Sequence, residues 1–413
     1  LKSIKSILTA IFFCFFLGQF KTYSAELNKF TDNRQTEADS VPQKDFIDIY
    51  HKLIIPRGKP RKDTSDSKTG KAFFSVLPAA QYAPATKAYV TISANAAFYT
   101  SNDKSQNIST VLLSANYSQE NQFFMPVQGN FWTKGNKFNI LTDWHFDIFP
   151  QNTYGLGGYT NDYGADSTAI NYTYIRMYQA IMKQVYPDLF IGVGYDLDYY
   201  WNITLHSQPG VISEFEKYGY ASRSIASGIT LNLLYDGRRN SLSPSPGYYA
   251  NIVLRNNFTF IGSDNNWQSL LVDARKYMHF PANSKNILAF WSYDWFTLSG
   301  KPPYLNLAST ASDTYMNLGR GYVLGRYRGQ NLMYLETEYR FGVTRNGLIG
   351  GVVFLNGESF SEPVTNRFEV VSPGYGIGIR LKLNKYSKAS IALDYGWGTH
   401  GSQGIFANLG EVF

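Results

Sequence analysis

The chain has 413 residues, of which 44% are hydrophobic, 17% charged and 16% aromatic (32 Tyr, 29 Phe, 7 Trp), with a formal net charge of +7. Beyond the N-terminus no apolar run approaches the roughly 20 residues that a spanning helix needs, which excludes a helical membrane bundle. So many aromatics with so little charge suit one large β-barrel better than two or three soluble domains.

Residues 1–25 read as a secretory signal: Lys2 and Lys5, an apolar core from Ile7 to Leu17, then a polar stretch ending Tyr23-Ser24-Ala25. A membrane anchor would need a longer core. The one cysteine, Cys14, falls inside that core rather than at the cleavage point, which excludes a lipid-attachment role and leaves the mature chain without disulfides or Cys-ligated metals. Three lysines of the signal, Lys2, Lys5 and Lys21, account for part of the charge excess, and the remainder points to no particular partner. Residues 26–70 are a polar tether with a basic run from Arg57 to Asp63 and one short amphipathic helix, Asp45 to Ile54, whose Phe46, Ile47, Tyr50, Leu53 and Ile54 share a side. Docking of that helix on a barrel mouth is the alternative to a solvated tether. The segment is shorter than the ~50 residues of a small domain.

From Lys71 to Phe413 apolar and polar residues alternate with the period of strands. The pattern predicts sixteen strands near 72–79, 88–99, 107–118, 121–132, 137–147, 169–182, 189–202, 219–235, 246–258, 267–280, 286–298, 330–343, 347–356, 367–384, 388–397 and 402–413. In the twelfth, Leu335, Thr337, Tyr339 and Phe341 point one way and Glu336, Glu338 and Arg340 the other. In the fourteenth, Ile377, Ile379, Leu381 and Leu383 alternate with Gly376, Gly378, Arg380 and Lys382. The eighth carries Ser227 as an interruption on its apolar side. One face suits hydrocarbon and the other a polar lumen, so the expected fold is all-β, a 16-stranded transmembrane antiparallel barrel. A soluble sandwich would alternate too, but it would break into domains with their own cores. Pro78, in the first strand, removes a ladder donor and marks an edge, where the first and last strands meet at a seam.

Three local patterns stand out. The longest connection, Ser299 to Gly329, contains Arg320-Gly321-Tyr322 followed by Arg326, Arg328 and Gly329. Gly permits a tight reversal, and Arg in a polar lumen can fork onto inward carboxylates. The segment Asp236, Arg238, Asn240, then Pro246 and Gly247, has an ordinary turn-forming explanation. The chain closes on Leu409, Gly410 and Phe413, with Ile405, Ala407 and Leu409 on one side of the last strand; Glu411 stands where an apolar residue would be more usual.

These patterns resemble the BamA/TamA outer-membrane superfamily, whose barrel is the bacterial surface antigen domain. The resemblance covers most of residues 71–413. It implies that the longest external loop enters the lumen with Arg320, Gly321 and Tyr322 at its tip, and that the C-terminal residues are the signal read by the barrel-assembly machinery during insertion. The family's Asp partner for the loop arginine corresponds here to Asn356, so Glu336 and Glu338 are the candidate partners, with Asn356 as the weaker one. Periplasmic POTRA repeats are missing, so the chain looks like the branch without them. The implied role is outer-membrane biogenesis, inserting or passing a protein or lipid cargo, in contact with outer-membrane lipid and lipopolysaccharide and with a separate periplasmic partner or as a homo-oligomer. The alternative is a passive pore or structural barrel.

Other chemistry finds little support. The histidines, His51, His145, His206, His279 and His400, have no metal-ligand spacing. Gly155 to Gly158 and Gly374 to Gly378 open no helix, so neither is a phosphate cradle. Asp143, His145 and Asp147 would share a lumen face if Trp144 and Phe146 face lipid, the best remnant of a hydrolase site; enzymatic activity, a cofactor and nucleic-acid binding are not expected.

Overall fold

The computed structural model describes residues 73–101, 106–160, 167–207, 210, 212–238, 246–383 and 390–413. The expected signal, the tether with its helix and basic run, His51 and Asn240 lie outside the described residues.

Sixteen wall strands follow one another: β1 Phe73–Ala83, β2 Lys87–Phe98, β3 Ser109–Ser118, β4 Phe123–Trp132, β5 Phe138–Ile148, β6 Thr168–Tyr186, β7 Leu189–His206 and β8 Ser224–Asp236, then β9 Gly247–Asn257, β10 Trp267–His279, β11 Ile287–Gly300, β12 Asn331–Gly342, β13 Ile349–Phe360, β14 Ser372–Lys382, β15 Ser390–Trp397 and β16 Gln403–Leu409. Each pairs antiparallel with the next in sequence. β1 and β16 lie side by side, with no ladder between them among the described residues, so the barrel is nearly closed. Pro78 is in β1 opposite Ile92, with its ring exposed beside that seam.

Alternation divides the wall into two faces. Outward positions form an apolar belt, with Val76, Ile92, Val193, Leu335 and Ile377 each more than half exposed. Inward positions carry the polar and charged side chains. A second proline, Pro126, interrupts the β3–β4 ladder, which passes from Leu113 opposite Val127 to Asn116 opposite Phe124. The Asn116 side-chain amide donates to the Phe124 carbonyl at 2.8 Å and so restores one bond across the gap. Ser227, on the apolar side of β8, is satisfied by donating to the Ile261 carbonyl at 2.8 Å and meeting the Tyr195 hydroxyl at 2.9 Å.

The barrel has a short-turn end, seen in the two-residue Pro187-Asp188 turn after β6, and a long-loop end, where the connections after β5, β7, β11 and β13 lie. Several expected strands differ in extent: β1, β6, β7 and β13 run four residues beyond the expected ends at 79, 182, 202 and 356, while β8, β14 and β16 are shorter. β8 starts at Ser224 rather than 219, and Glu214–Gly219 just before it form a helical turn, α1, in which Ser213 accepts from the Glu216 N–H while the Glu216 carboxylate accepts from the Ser213 N–H. This turn stacks Phe215 on Tyr304 with ring centroids 4.3 Å apart, so packing against the loop after β11 decides its conformation. β14 starts at Ser372 rather than 367, because the Asn366 N–H donates to the Glu362 carbonyl and the Glu362 N–H to the Arg367 carbonyl, closing a turn. β16 stops at Leu409 rather than running to 413: Gly410 has φ +95° and turns the last residues away from the wall.

Candidate functional site

The connection from β11 to β12 folds into the barrel. Its base is held by a 3-10 turn at Tyr304–Asn306 and by a two-rung ladder of Ala308–Ser309 with Arg328–Gly329. Its inner turn is organised by Asp313, whose Oδ1 accepts from the backbone N–H of Asn317 at 2.8 Å and of Leu318 at 2.7 Å. From that turn the chain presents Arg320.

Arg320 is fully buried at 0% exposure. Its Nη2 donates to Glu336 and to Glu338, and its Nη1 donates to Asp394. Glu336 and Glu338 are two residues apart on β12, so both face the lumen, and their register partners on β13 are Asn356 and Phe354. The Phe354 ring lies under the guanidinium, 3.7 Å from centroid to Cζ. Asn356 does not bond the Arg320 side chain; its Nδ2 donates to the Arg320 carbonyl at 2.9 Å. A planar guanidinium with five donors can serve several carboxylates together, which a lysine could not do with the same geometry.

The charges continue beyond the loop. Asp394 on β15 also accepts from Arg380 on β14, Arg380 Nε donates to Glu411 at 2.7 Å, Glu411 lies 3.7 Å from Arg340 Nε, and Arg340 Nε donates to Glu338 at 2.7 Å. The result is a closed ring, Arg320, Asp394, Arg380, Glu411, Arg340 and Glu338, with Glu336 attached to Arg320. No member is more than 10% exposed. Removing one partner from such a buried set leaves an uncompensated charge and costs about 3–5 kcal/mol.

Glu411 enters this ring because the C-terminal tail turns inward at Gly410, which corrects the expectation that Phe413 ends a strand on the side of Ile405, Ala407 and Leu409. Phe413 is 3% exposed, its ring stacked on Trp291 at 5.2 Å, and its carbonyl accepts from Arg340 Nη2 at 2.9 Å. The neighbouring Val412 carbonyl accepts from Asn317 Nδ2 at 3.0 Å, so the tail and the inner turn of the loop touch directly. Leu318, Tyr322, Tyr327, Val412 and Phe413 join Trp291, Tyr293 and Tyr334 of the wall in one buried cluster.

Gly321 follows with φ +115°, and a Cβ there would lie 2.7 Å from the Trp397 carbonyl oxygen. Its own carbonyl accepts from Ser402 Oγ at 2.8 Å. Tyr322 donates to the Pro373 carbonyl at 2.6 Å and accepts from the Thr399 N–H at 2.9 Å. Arg326 and Arg328 do not join the ring. Arg326 donates to Thr160 Oγ1 at 2.8 Å and to its carbonyl at 3.0 Å, and Arg328 donates to the carbonyls of Tyr304 at 3.2 Å and Leu307 at 3.3 Å. Gly329 pairs with Ala308. These residues tie the loop to its neighbours at the long-loop end.

The turn motif is at the opposite end. Arg238 donates twice to Asp236, at 2.8 Å each, and its guanidinium lies 4.2 Å from the Tyr249 ring centroid; Pro246 precedes Gly247, which opens β9. These residues fix a turn and do not approach Arg320. A second charge network lies within the wall. His145 Nε2 is 3.0 Å from Asp143 and its Nδ1 is 3.7 Å from Asp147, Arg176 Nη1 is 3.3 Å from Asp143, and Arg255 Nη1 donates to Asp198 at 2.7 Å. Among the described residues no group of three or more His, Cys, Asp or Glu is arranged to hold a metal ion.

By sequence the chain matches no family model and no curated protein. By structure it is similar to BamA from Haemophilus ducreyi lacking POTRA domains 1–3, with TM-score 0.54 and 12% identity over 82% of this chain and 70% of that one. It is also similar to CdiB from Acinetobacter baumannii (TM-score 0.51, 11% identity, 82% of this chain, 60% of that one). For CdiB from Escherichia coli the TM-score is 0.52 at 9% identity, over 82% of this chain and 63% of that one. The match thus spans less than two thirds of either CdiB chain. At these identities the likeness is one of fold, and the chain has a BamA-like barrel fold.

Proposed function

We propose that the chain is an outer-membrane barrel of the BamA/TamA-like type whose lumen is held shut from within, and that it serves outer-membrane biogenesis by inserting or passing a protein or lipid cargo. The observation that carries the reading is Arg320, drawn from a loop into a buried ring that also holds the C-terminal tail. A barrel that served as a permanently open pore would gain nothing from filling its lumen with a buried cluster of thirteen aromatic and aliphatic residues drawn from loop, tail and wall. The apolar outer belt supports a bilayer as the surroundings, because contiguous apolar surface of this extent is not left in water. Lipid and lipopolysaccharide are then its contacts, and the seam between β1 and β16, where no ladder forms among the described residues, is the place where cargo would leave sideways.

The test is insertion by the purified barrel reconstituted in vesicles of outer-membrane lipid. A urea-unfolded second barrel protein is added, and its folding is followed by gel mobility. The proposal expects folding several-fold faster than in empty vesicles. Steady leakage of small solutes with no acceleration would replace it by the passive pore.

A further inference from the structure

The lumen side of the wall carries a row of register partners that leads from the turn motif to the plug. Asp236 on β8 lies opposite Tyr249 on β9, Tyr249 opposite Arg275 on β10, and Arg275 opposite Trp291 on β11. Trp291 lies opposite Glu336 on β12, which lies opposite Asn356 on β13. Directly opposed residues point to one face, so all of them turn into the lumen. Asp236 is the last residue of β8, whereas Asn356 is well inside β13 (Ile349–Phe360), so the row climbs from the short-turn end toward the loop, as the stagger of tilted strands requires. Its upper members both hold Arg320: Glu336 accepts from the guanidinium, and Asn356 donates to the backbone carbonyl.

Guanidinium groups and rings alternate along the lower part. Arg238, paired with Asp236, lies 4.2 Å from the Tyr249 centroid, and Arg275 lies 5.1 Å from the same ring and 5.0 Å from that of Trp291. Asp273 fixes this middle step, accepting from Arg275 at 2.8 and 2.7 Å and from Trp291 Nε1 at 2.9 Å. Trp291 then carries the Phe413 ring, and Arg340, which donates to Glu338, lies 5.2 Å from the Phe413 centroid. The tail beyond Gly410 pairs with no strand among the described residues. Its place therefore depends on these contacts, on Asn317 of the loop and on the pairing of Glu411 with Arg380. A guanidinium held between two rings loses its seat when either ring goes.

We propose that this row is a strap that ties the plug to the short-turn mouth of the barrel, with Arg238 and Tyr249 as its foot. Withdrawal of Arg238 from Tyr249 frees Arg275 and Trp291, then the tail, and with the tail the ring that seats Arg320. The turn motif thereby has a gating role besides its local one, and the lumen is unlocked from the short-turn end. This rests on the reading above that the loop holds the lumen shut. Arg238, Tyr249, Arg275 and Trp291 are positioning residues, acting on the plug through the tail. Arg255, on the same strand as Tyr249, bonds to wall residues alone and so serves as the control. Contact along a row becomes coupling only where displacing one end moves the other, which the experiment measures.

The refolded full chain is measured by single-channel conductance in planar bilayers, with the folding of every variant checked by heat-modifiable mobility. Tyr249→Leu removes the ring between the two guanidinium groups, Tyr249→Phe keeps it, and Arg255→Ala disturbs the same strand outside the row. The proposal expects openings about five-fold more frequent in Tyr249→Leu, the size expected of one lost guanidinium–ring contact. Tyr249→Phe and Arg255→Ala stay as silent as the native barrel. Tyr249→Leu combined with Arg320→Ala opens no more than Arg320→Ala alone, because both act on one plug. Should Tyr249→Leu fail to fold, Arg238→Gln, at the mouth, carries the same expectation. Silence of the folded variant beside an open Arg320→Ala overturns the strap and leaves the shut lumen intact. Openings as frequent in Arg255→Ala or Tyr249→Phe as in Tyr249→Leu overturn it too, since any disturbance of β9 would then open the lumen. Arg320→Ala as silent as the native barrel overturns the shut-lumen reading, and the strap with it.

Discussion

The lumen holds two charge networks built from the same residue types, and they differ in what they join. The network around Asp143, His145, Arg176, Asp198 and Arg255 draws its members from wall strands β5, β6, β7 and β9. The ring around Arg320 joins wall strands β12, β14 and β15 to a loop and to the C-terminal tail. Buried ion pairs are weak evidence of stability as such. What the comparison teaches is that the first can only brace the wall, whereas the second fixes the positions of two segments that the wall alone would not hold.

The comparison can be broken or sharpened by substitution. The largest effect is expected from Arg320→Ala and Arg255→Ala, each stranding buried carboxylates at about 3–5 kcal/mol. Denaturant unfolding in detergent should fall by similar amounts for both, but protease cleavage within residues 301–330 should rise only for Arg320→Ala. Equal cleavage would erase the distinction between the networks. Gly321→Ala comes next, at about 1–3 kcal/mol, because a side chain at φ +115° is strained and meets the Trp397 carbonyl. It should also expose the loop to protease, whereas Gly135→Ala, at positive φ with open space around it, should leave the loop protected. Glu411→Gln keeps the shape of the tail while removing the charge between Arg380 and Arg340. It should cost about 1–3 kcal/mol, read as a lower temperature for the loss of folded mobility. The smallest effect belongs to Lys217→Ala in α1, whose exposed pair with Glu214 contributes at most about 0.5 kcal/mol and should leave unfolding within error.

Much of the wall is legible in the chain because a strand buried on one face and lipid-facing on the other must alternate, and a one-residue slip would turn every side chain over. The same rule puts Glu336 and Glu338 into the lumen, within reach of a loop arginine. Asp394 and Arg380 obey it too, but nothing local says that Arg320, 74 residues before Asp394, will find them; that needs the closed wall. Glu411 reads as an imperfection in a terminal strand until Gly410 turns the tail inward, and its value as a charge appears only beside Arg340 and Arg380. α1 is six residues long and held by its cap and by Phe215 on Tyr304, a contact across the long-loop end that no periodicity encodes. Asp294 on β11 breaks the rule that charge goes inward: it stands opposite outward-facing Met333, and its carboxylate accepts from the Ser292 hydroxyl at 2.9 Å.

The claim that the ring holds the loop as a lumen plug is tested most directly by single-channel conductance in planar bilayers, comparing the refolded barrel with Arg320→Ala and with Arg255→Ala. The account predicts a nearly silent native barrel, large and noisy openings for Arg320→Ala, and near silence for Arg255→Ala. Steady, equal conductance from the native barrel and Arg320→Ala would contradict it.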